Sequence, residues 1–316
     1  MNNIIWVNIL KGLGILAVVA GHIYSGQISR NIYIFHMPLF FFISGFLLKP
    51  SHDFNFFFIK KIKSLIIPYF VFLSVLYPIF YGYPSLNIEE VLSFIYNPLI
   101  GGRLLVGVFG SFWFITCLFL TQQLMNYLIS KLSTKKNVYI MILFVLLSSI
   151  NSYKPSLWLP WNAHVVFASA PIFYIGYFYQ KSSIINSRLI ALGGILVLIL
   201  STIFQNNVYH MKFTGYGYPL ITLFSSIILI LNIVNLSKLI SKFKILANVL
   251  SEIGKSSLVI MFLHQPFQIF IKTYISLNNS IRLTISVLLS YVVYWIFLKS
   301  NFTRKIFLGK FLANKN

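Results

Sequence analysis

The chain has 316 residues, of which 58% are hydrophobic and only 9% charged, and its mean hydropathy is +0.83. Twenty-five basic and four acidic side chains cannot cover a soluble body of this length, where about 25% charged residues is usual, and 32 Phe, 19 Tyr and 5 Trp exclude a disordered chain. The net charge of +21 does not point to nucleic acid, because the lysines form short patches between apolar runs, as anionic lipid headgroups and the positive-inside bias require. An all-α, polytopic integral membrane protein remains. The lone Cys117 excludes an internal disulfide and a cysteine cage for a metal.

A membrane helix needs roughly 17–25 mostly apolar residues. The pattern predicts ten such spans in one bundle, near 4–25, 32–49, 65–82, 107–130, 137–150, 163–180, 187–204, 217–236, 256–275 and 281–298. With the N-terminus cytoplasmic, eighteen basic residues fall inside. Six fall outside (Arg30, Arg103, Lys154, Lys212, Lys272 and Arg282), and Lys11 lies within a span. That asymmetry puts both termini in the cytoplasm. No linker or internal repeat divides the chain, so residues 1–316 are expected to form a single membrane-embedded domain with no fused soluble domain.

In the first span Lys11 is followed eleven residues later by His22. Eleven residues make three turns plus about 20°, so both share a face, separated by about 16.5 Å of rise. Gly14 and Gly21 flank that face and leave room for a neighbouring chain. A charge at such depth costs about 2.5–3.5 kcal/mol, which makes Lys11 a functional candidate; the alternative is a lysine snorkelling to the headgroups and a histidine bonded at the interface. The second span begins FHMPLFFFISG, which sets His36 near the depth of His22 as a possible acid–base partner. The run FNFFFIKKIKSLIIPYF brings Lys60, Lys61 and Lys63 to the cytoplasmic surface, either as lipid anchors or as a mouth for a polyanionic ligand. Trp113, near the outer end of the fourth span, fits an aromatic belt or a sugar platform. His264 precedes Pro266 in the ninth span and fits a packing role or a site role equally.

The four acids, Asp53, Glu89, Glu90 and Glu252, all fall outside the predicted spans. Chemistry by paired carboxylates and an acidic metal site therefore have no ligands in the membrane, and no metal or bound cofactor is expected. Neither Gly-rich phosphate loop pattern is present.

These residues resemble acyltransferase family 3, membrane proteins that move acetyl or other acyl groups onto carbohydrates. The K/R-x10-H pattern is met by Lys11 and His22, and the FHMPLFF-x-x-SG segment by Phe35 through Gly45. The basic run before a Pro-Tyr helix is met by Lys60, Lys61, Lys63, Pro68 and Tyr69, and WF-x-x-x-L by Trp113, Phe114 and Leu118. Residues 253–266 look like the closing G-x-x-S…H element, and 159–178 are similar to the fucose 4-O-acetylase-like branch. The resemblance implies a ten-helix bundle in the bacterial cytoplasmic (inner) membrane. It would take an acetyl group from cytoplasmic acetyl-CoA as co-substrate and deliver it to a hydroxyl of a lipid-linked or polymeric cell-envelope sugar outside. His22 would be catalytic, as base or as carrier of the acyl group, with His36 as its partner. Lys11, Lys60, Lys61 and Lys63 would bind the donor, while Ser44, Trp113 and His264 would bind the acceptor or support His22, Ser44 by orienting its ring. The competing class is an envelope polysaccharide transporter or polymerase without acyl chemistry.

Overall fold

The computed structural model describes residues 5–82, 87–154, 157–181 and 187–311. In chain order the helices are α1 (Ile5–Ile23), α2 (Gly26–Phe46), α3 (Phe54–Lys61), α4 (Ile67–Tyr81), α5 (Ile88–Ile100), α6 (Trp113–Lys131) and α7 (Thr134–Tyr153). There follow α8 (Val166–Tyr179), α9 (Ser187–Ile203), α10 (Pro219–Ile240), α11 (Lys244–Lys255), α12 (Ser257–Tyr274), α13 (Asn279–Lys299) and α14 (Asn301–Ile306). Among the described residues there is no β-strand, only an antiparallel bridge between His210 and Gly215. The fold is all-α, as the apolar runs require.

Local chemistry sets the boundaries. Asp53 caps α3 by accepting from the Phe56 N–H at 2.8 Å, and Asn278 caps α13 by accepting from the Ile281 N–H at 2.9 Å. Between α3 and α4 the backbone widens into a π turn over Ile62–Ile66. Pro68 explains it: the proline has no N–H and its ring crowds the carbonyl four residues back, at Ser64, so the chain opens a turn there.

Among the described residues six helices or helix runs are long and apolar enough to cross a membrane: Ile5–Ile23, Phe54–Tyr81, Gly107–Lys131, Thr134–Tyr153, Pro219–Ile240 and Asn279–Lys299. The pair α11 and α12, bent by 76°, makes up to seven. Helices also occupy the other expected places, but α2, α8 and α9 fall short of a full apolar span. In α2 the deficit comes from polar groups that face the protein, with Gln27 Nε2 donating to Asn31 Oδ1 at 2.8 Å and His36 buried. In α8 the chain enters through a 3-10 turn, Pro160–Val165, and the helix has only 14 residues.

Two seams of backbone contact hold the bundle. A Cβ at Gly45 would strike the Phe173 carbonyl and one at Gly176 the Phe42 carbonyl, so α2 and α8 cross with main chains touching. Gly12 and Gly254 do the same for α1 and α11, against Leu250 O and Asn8 O. Gly14 and Gly21 lie instead against side chains of α2, Leu39 and Ile32 being the nearest.

The bundle has two unlike ends. At one, Arg282 Nη2 donates to Ile23 O at 3.1 Å, Tyr24 and Ser280 share a hydrogen bond of 2.9 Å, and Gln27 reaches Ser201. At the other, Trp6 packs on Phe46, Phe46 packs on Tyr179, and Lys238 lies over both Trp6 and Tyr179. We call these the cavity end and the lysine end.

Candidate active site

A cavity of about 600 Å³ opens at the cavity end between the loop around Val106–Gly107 and the loop that carries Tyr209 to Gly215. Its walls come from α1 (Val18, His22), α2 (Tyr33, His36, Met37), the start of α6 (Trp113), α12 (Met261) and these loops. Val18, Met37 and Met261 each stand one turn further from the mouth than His22, Tyr33 and His264 on the same helices, so they form an apolar floor.

Three imidazoles gather here. His22 and His264 have ring centroids 5.3 Å apart, and Tyr33 lies 6.3 Å from His22, 4.7 Å from His36 and 4.6 Å from His210. His36 Nδ1 is 3.0 Å from Ile32 O, and His264 Nδ1 is 2.7 Å from Ile260 O. A carbonyl only accepts, so each Nδ1 carries its proton and a neutral ring there presents Nε2 as an acceptor. The His264 Nε2 is buried without a hydrogen-bond partner. The His22 side chain makes no hydrogen bond to the described residues and is the unclamped base of the three.

The loop supplies the rest. His210 projects at the mouth, and burial lowers its pKa from the ordinary histidine value. Lys212 reaches inward, donating to Leu105 O and, at 3.3 Å, to Gly110 O. Burial pushes its pKa down to about 8. Its own carbonyl accepts from Arg103 Nε at 3.3 Å and from Asn162 Nδ2 at 3.1 Å. Asn162 has φ of 55° and its neighbour Trp161 58°, a left-handed pair that turns the chain before α8 and aims Asn162 at the loop.

The structure thus brings together His22, His36, His264 and Trp113. Trp113 is buried in the cavity wall and so does not face lipid as a belt residue would. Ser44 does not join them. It sits two turns along α2 from His36, where its hydroxyl accepts from Gln122 Nε2 at 2.5 Å, so the expectation that it orients His22 is corrected. Lys60, Lys61 and Lys63 stand at the lysine end over Phe56, Phe57 and Phe311. Lys11 is half-buried below the floor, within electrostatic reach of Lys310. Among the described residues no group of His, Cys, Asp or Glu is placed to hold a metal ion.

Sequence reasoning missed Tyr33, His210, Lys212 and Arg103 as site residues. Tyr33 had a signal, since it precedes His36 by three residues and shares its face. Lys212 had a weaker one: it is among the few basic residues on the sparse side of the charge count.

The family model of the acyltransferase domain, acyltransferase family 3, matches residues 4–299. No curated protein and no solved structure matches the chain. The family match covers nearly the whole bundle, favours acyl transfer over a transporter or polymerase, and does not distinguish a branch. A many-helix apolar bundle whose residues match that domain from α1 to the end of α13 is a membrane acyltransferase, and the chain belongs to acyltransferase family 3.

Proposed function

We propose that the protein is an O-acetyltransferase that takes acetyl from acetyl-CoA at the lysine end and gives it to a sugar hydroxyl at the cavity end. The lysine end then faces the cytoplasm of a bacterium, both termini with it, and the cavity end faces the cell envelope. The acceptor is a lipid-linked or polymeric carbohydrate on its way into the envelope.

One observation carries this reading. His22 stands in a cavity with no carboxylate, and Lys11 lies eleven residues below it on the same unbroken helix. The rise of about 16.5 Å suits a donor whose anionic end stays among lysines while its thioester reaches the imidazole. Lys60, Lys61 and Lys63 attract the phosphates of the donor, and the aromatic rings of Trp113 and Tyr33 offer flat faces to a sugar. His22 takes the proton of the acceptor hydroxyl, or first accepts the acyl group as an acyl-imidazole; in both routes it is the group next to the reacting carbonyl.

The test is purified protein in detergent or nanodiscs with labelled acetyl-CoA and envelope glycan fractions. Release of CoA and transfer of label, both lost in His22→Ala that remains folded, support the reading. An active His22→Ala overturns it.

A further inference from the structure

Lys212 is a half-buried cation with no counter-ion among the described residues. All four acids of the chain are engaged elsewhere: Asp53 caps α3, Glu89 and Glu90 lie in the first turn of α5, and Glu252 pairs with Lys255 at 2.6 Å. Among the described residues no carboxylate lines the cavity. An unpaired charge in such a place is costly and is kept where something negative arrives to meet it.

The surroundings also fix where that charge points. Of the three ammonium N–H groups, one donates to Leu105 O and one to Gly110 O, which leaves the third without an acceptor among the described residues; Nζ also lies 5.2 Å from the Phe213 ring centroid, and both residues line the cavity. The backbone behind it is clamped, because Arg103 and Asn162 both donate to the Lys212 carbonyl and Arg103 also donates to Thr214 Oγ1 at 2.9 Å. A donor held this way needs no rearrangement when charge develops in front of it. His22 lies in the same cavity, within electrostatic reach of Lys212.

We propose that Lys212 is a catalytic residue that holds the negative charge formed on the acyl carbonyl oxygen during transfer. The proposal rests on the acyl-transfer reading of the site and adds its electrophilic half. In the step, His22 takes the proton of the acceptor hydroxyl as that oxygen bonds to the thioester carbon. The carbonyl π pair moves onto its oxygen, which Lys212 binds. When the pair returns, the C–S bond breaks, the thiolate leaves, and the proton on His22 passes to the sulfur. Products are the sugar ester and CoA-SH, with no oxidant or other reactant needed.

Burial supports the assignment, since a lysine with a pKa of about 8 has its proton finely held near neutrality. Its titration is felt beside His22, His36, His210, Tyr33, Tyr209 and Arg103, so the profile must be read against a variant.

The experiment compares kcat and KM of wild type, Lys212→Met and Lys212→Arg across pH. Loss of one such donor lowers kcat roughly 10²–10³-fold. We expect that loss in Lys212→Met with KM for acceptor and donor nearly unchanged. The wild-type kcat should fall above about pH 8, and Lys212→Arg, partly active, should lack that fall. A Lys212→Met kcat within about threefold of wild type overturns the proposal. So does a loss confined to KM for the acceptor, which would make Lys212 a reader of an anionic sugar instead. If Lys212→Met does not fold, wild type and Lys212→Arg decide, and an identical alkaline limb in both overturns it. Inactive wild type overturns both this proposal and the reading beneath it, whereas active wild type with an indifferent Lys212 overturns this proposal alone.

Discussion

Lysine plays opposite parts at the two ends of this molecule. At the lysine end Lys60, Lys61, Lys63, Lys131, Lys181, Lys238 and Lys310 each lie over an aromatic ring at or near the surface, with Nζ 4.5–5.7 Å from the ring centroid. At the cavity end Lys212 turns inward and spends its N–H groups on backbone carbonyls. The first arrangement leaves ammonium groups near water and headgroups, where each is worth little singly and the set is worth much to a polyanion. The second fixes one charge at one point. Lys212 also lies over a ring, Phe213, at 5.2 Å, and Lys61 is half-buried like it; what separates the two arrangements is what receives the N–H groups, and on the proposals above the first serves long-range attraction and the second short-range chemistry.

The sharpest way to test that division is at His22. His22→Ala removes the imidazole that stands beside His264 without a clamp of its own and should cost roughly 10²–10⁴-fold in transfer, with folded protein retained on size-exclusion chromatography. His36→Ala and His264→Ala should cost less. Equal losses in all three would dissolve the distinction between the free imidazole and the two bonded to their own helices. A second effect falls on the scaffold of the lysine end. Gly254→Ala sets a Cβ against the Asn8 carbonyl, backbone that no rotamer change relieves, and should destabilise by about 1–3 kcal/mol, read as a lowered melting temperature in detergent. Gly26→Ala, with nothing within 4 Å at the opposite end, is expected to lose less, through its positive φ alone.

Smaller effects refine the comparison. Lys60→Gln with Lys61→Gln should weaken apparent donor affinity, more at low than at high salt, since screening removes what those charges contribute. Unchanged donor affinity at all salt concentrations would make them lipid anchors only. The smallest effect is on stability against pH. Lys212 has a pKa of about 8 folded against 10.5 for the free side chain. Between those values the unfolded chain holds a proton that the folded one releases. Its contribution is thus fully present above about pH 10.5 and is lost as pH falls to about 8, so wild-type stability should rise across that window more steeply than in Lys212→Met.

Much of this was legible in the sequence, and the parts that were not share a cause. The apolar runs located helices at all ten expected places, and the spacing of Lys11 and His22 marked one face of α1 before any fold was known. Gly14 and Gly21 do admit a neighbouring helix, α2, through its side chains, but contact with backbone falls to Gly12 and Gly254, and Gly254 lies in a stretch that reads as a connecting loop. Ser44 is a candidate to orient His22 because no carboxylate lies in the membrane, yet two helical turns from His36 carry its hydroxyl to Gln122. Lys212 was counted only as a charge outside the membrane. Its approach to His22 depends on Arg103 and Asn162, residues 109 and 50 positions away, and no local pattern encodes a clamp of that range.

The apolar floor under the cavity has an electrical consequence. On the function proposed above, an acyl group must pass between two compartments that differ in voltage and proton concentration. A continuous file of water from Lys11 to His22 would let protons follow it and discharge the membrane. Val18, Met37 and Met261 offer water no hydrogen bond, while the unbranched thioethers of the two methionines can part around a thin arm and close behind it. If the proposed function holds, such a floor lets a chemical group cross the bilayer without turning the protein into a conductor.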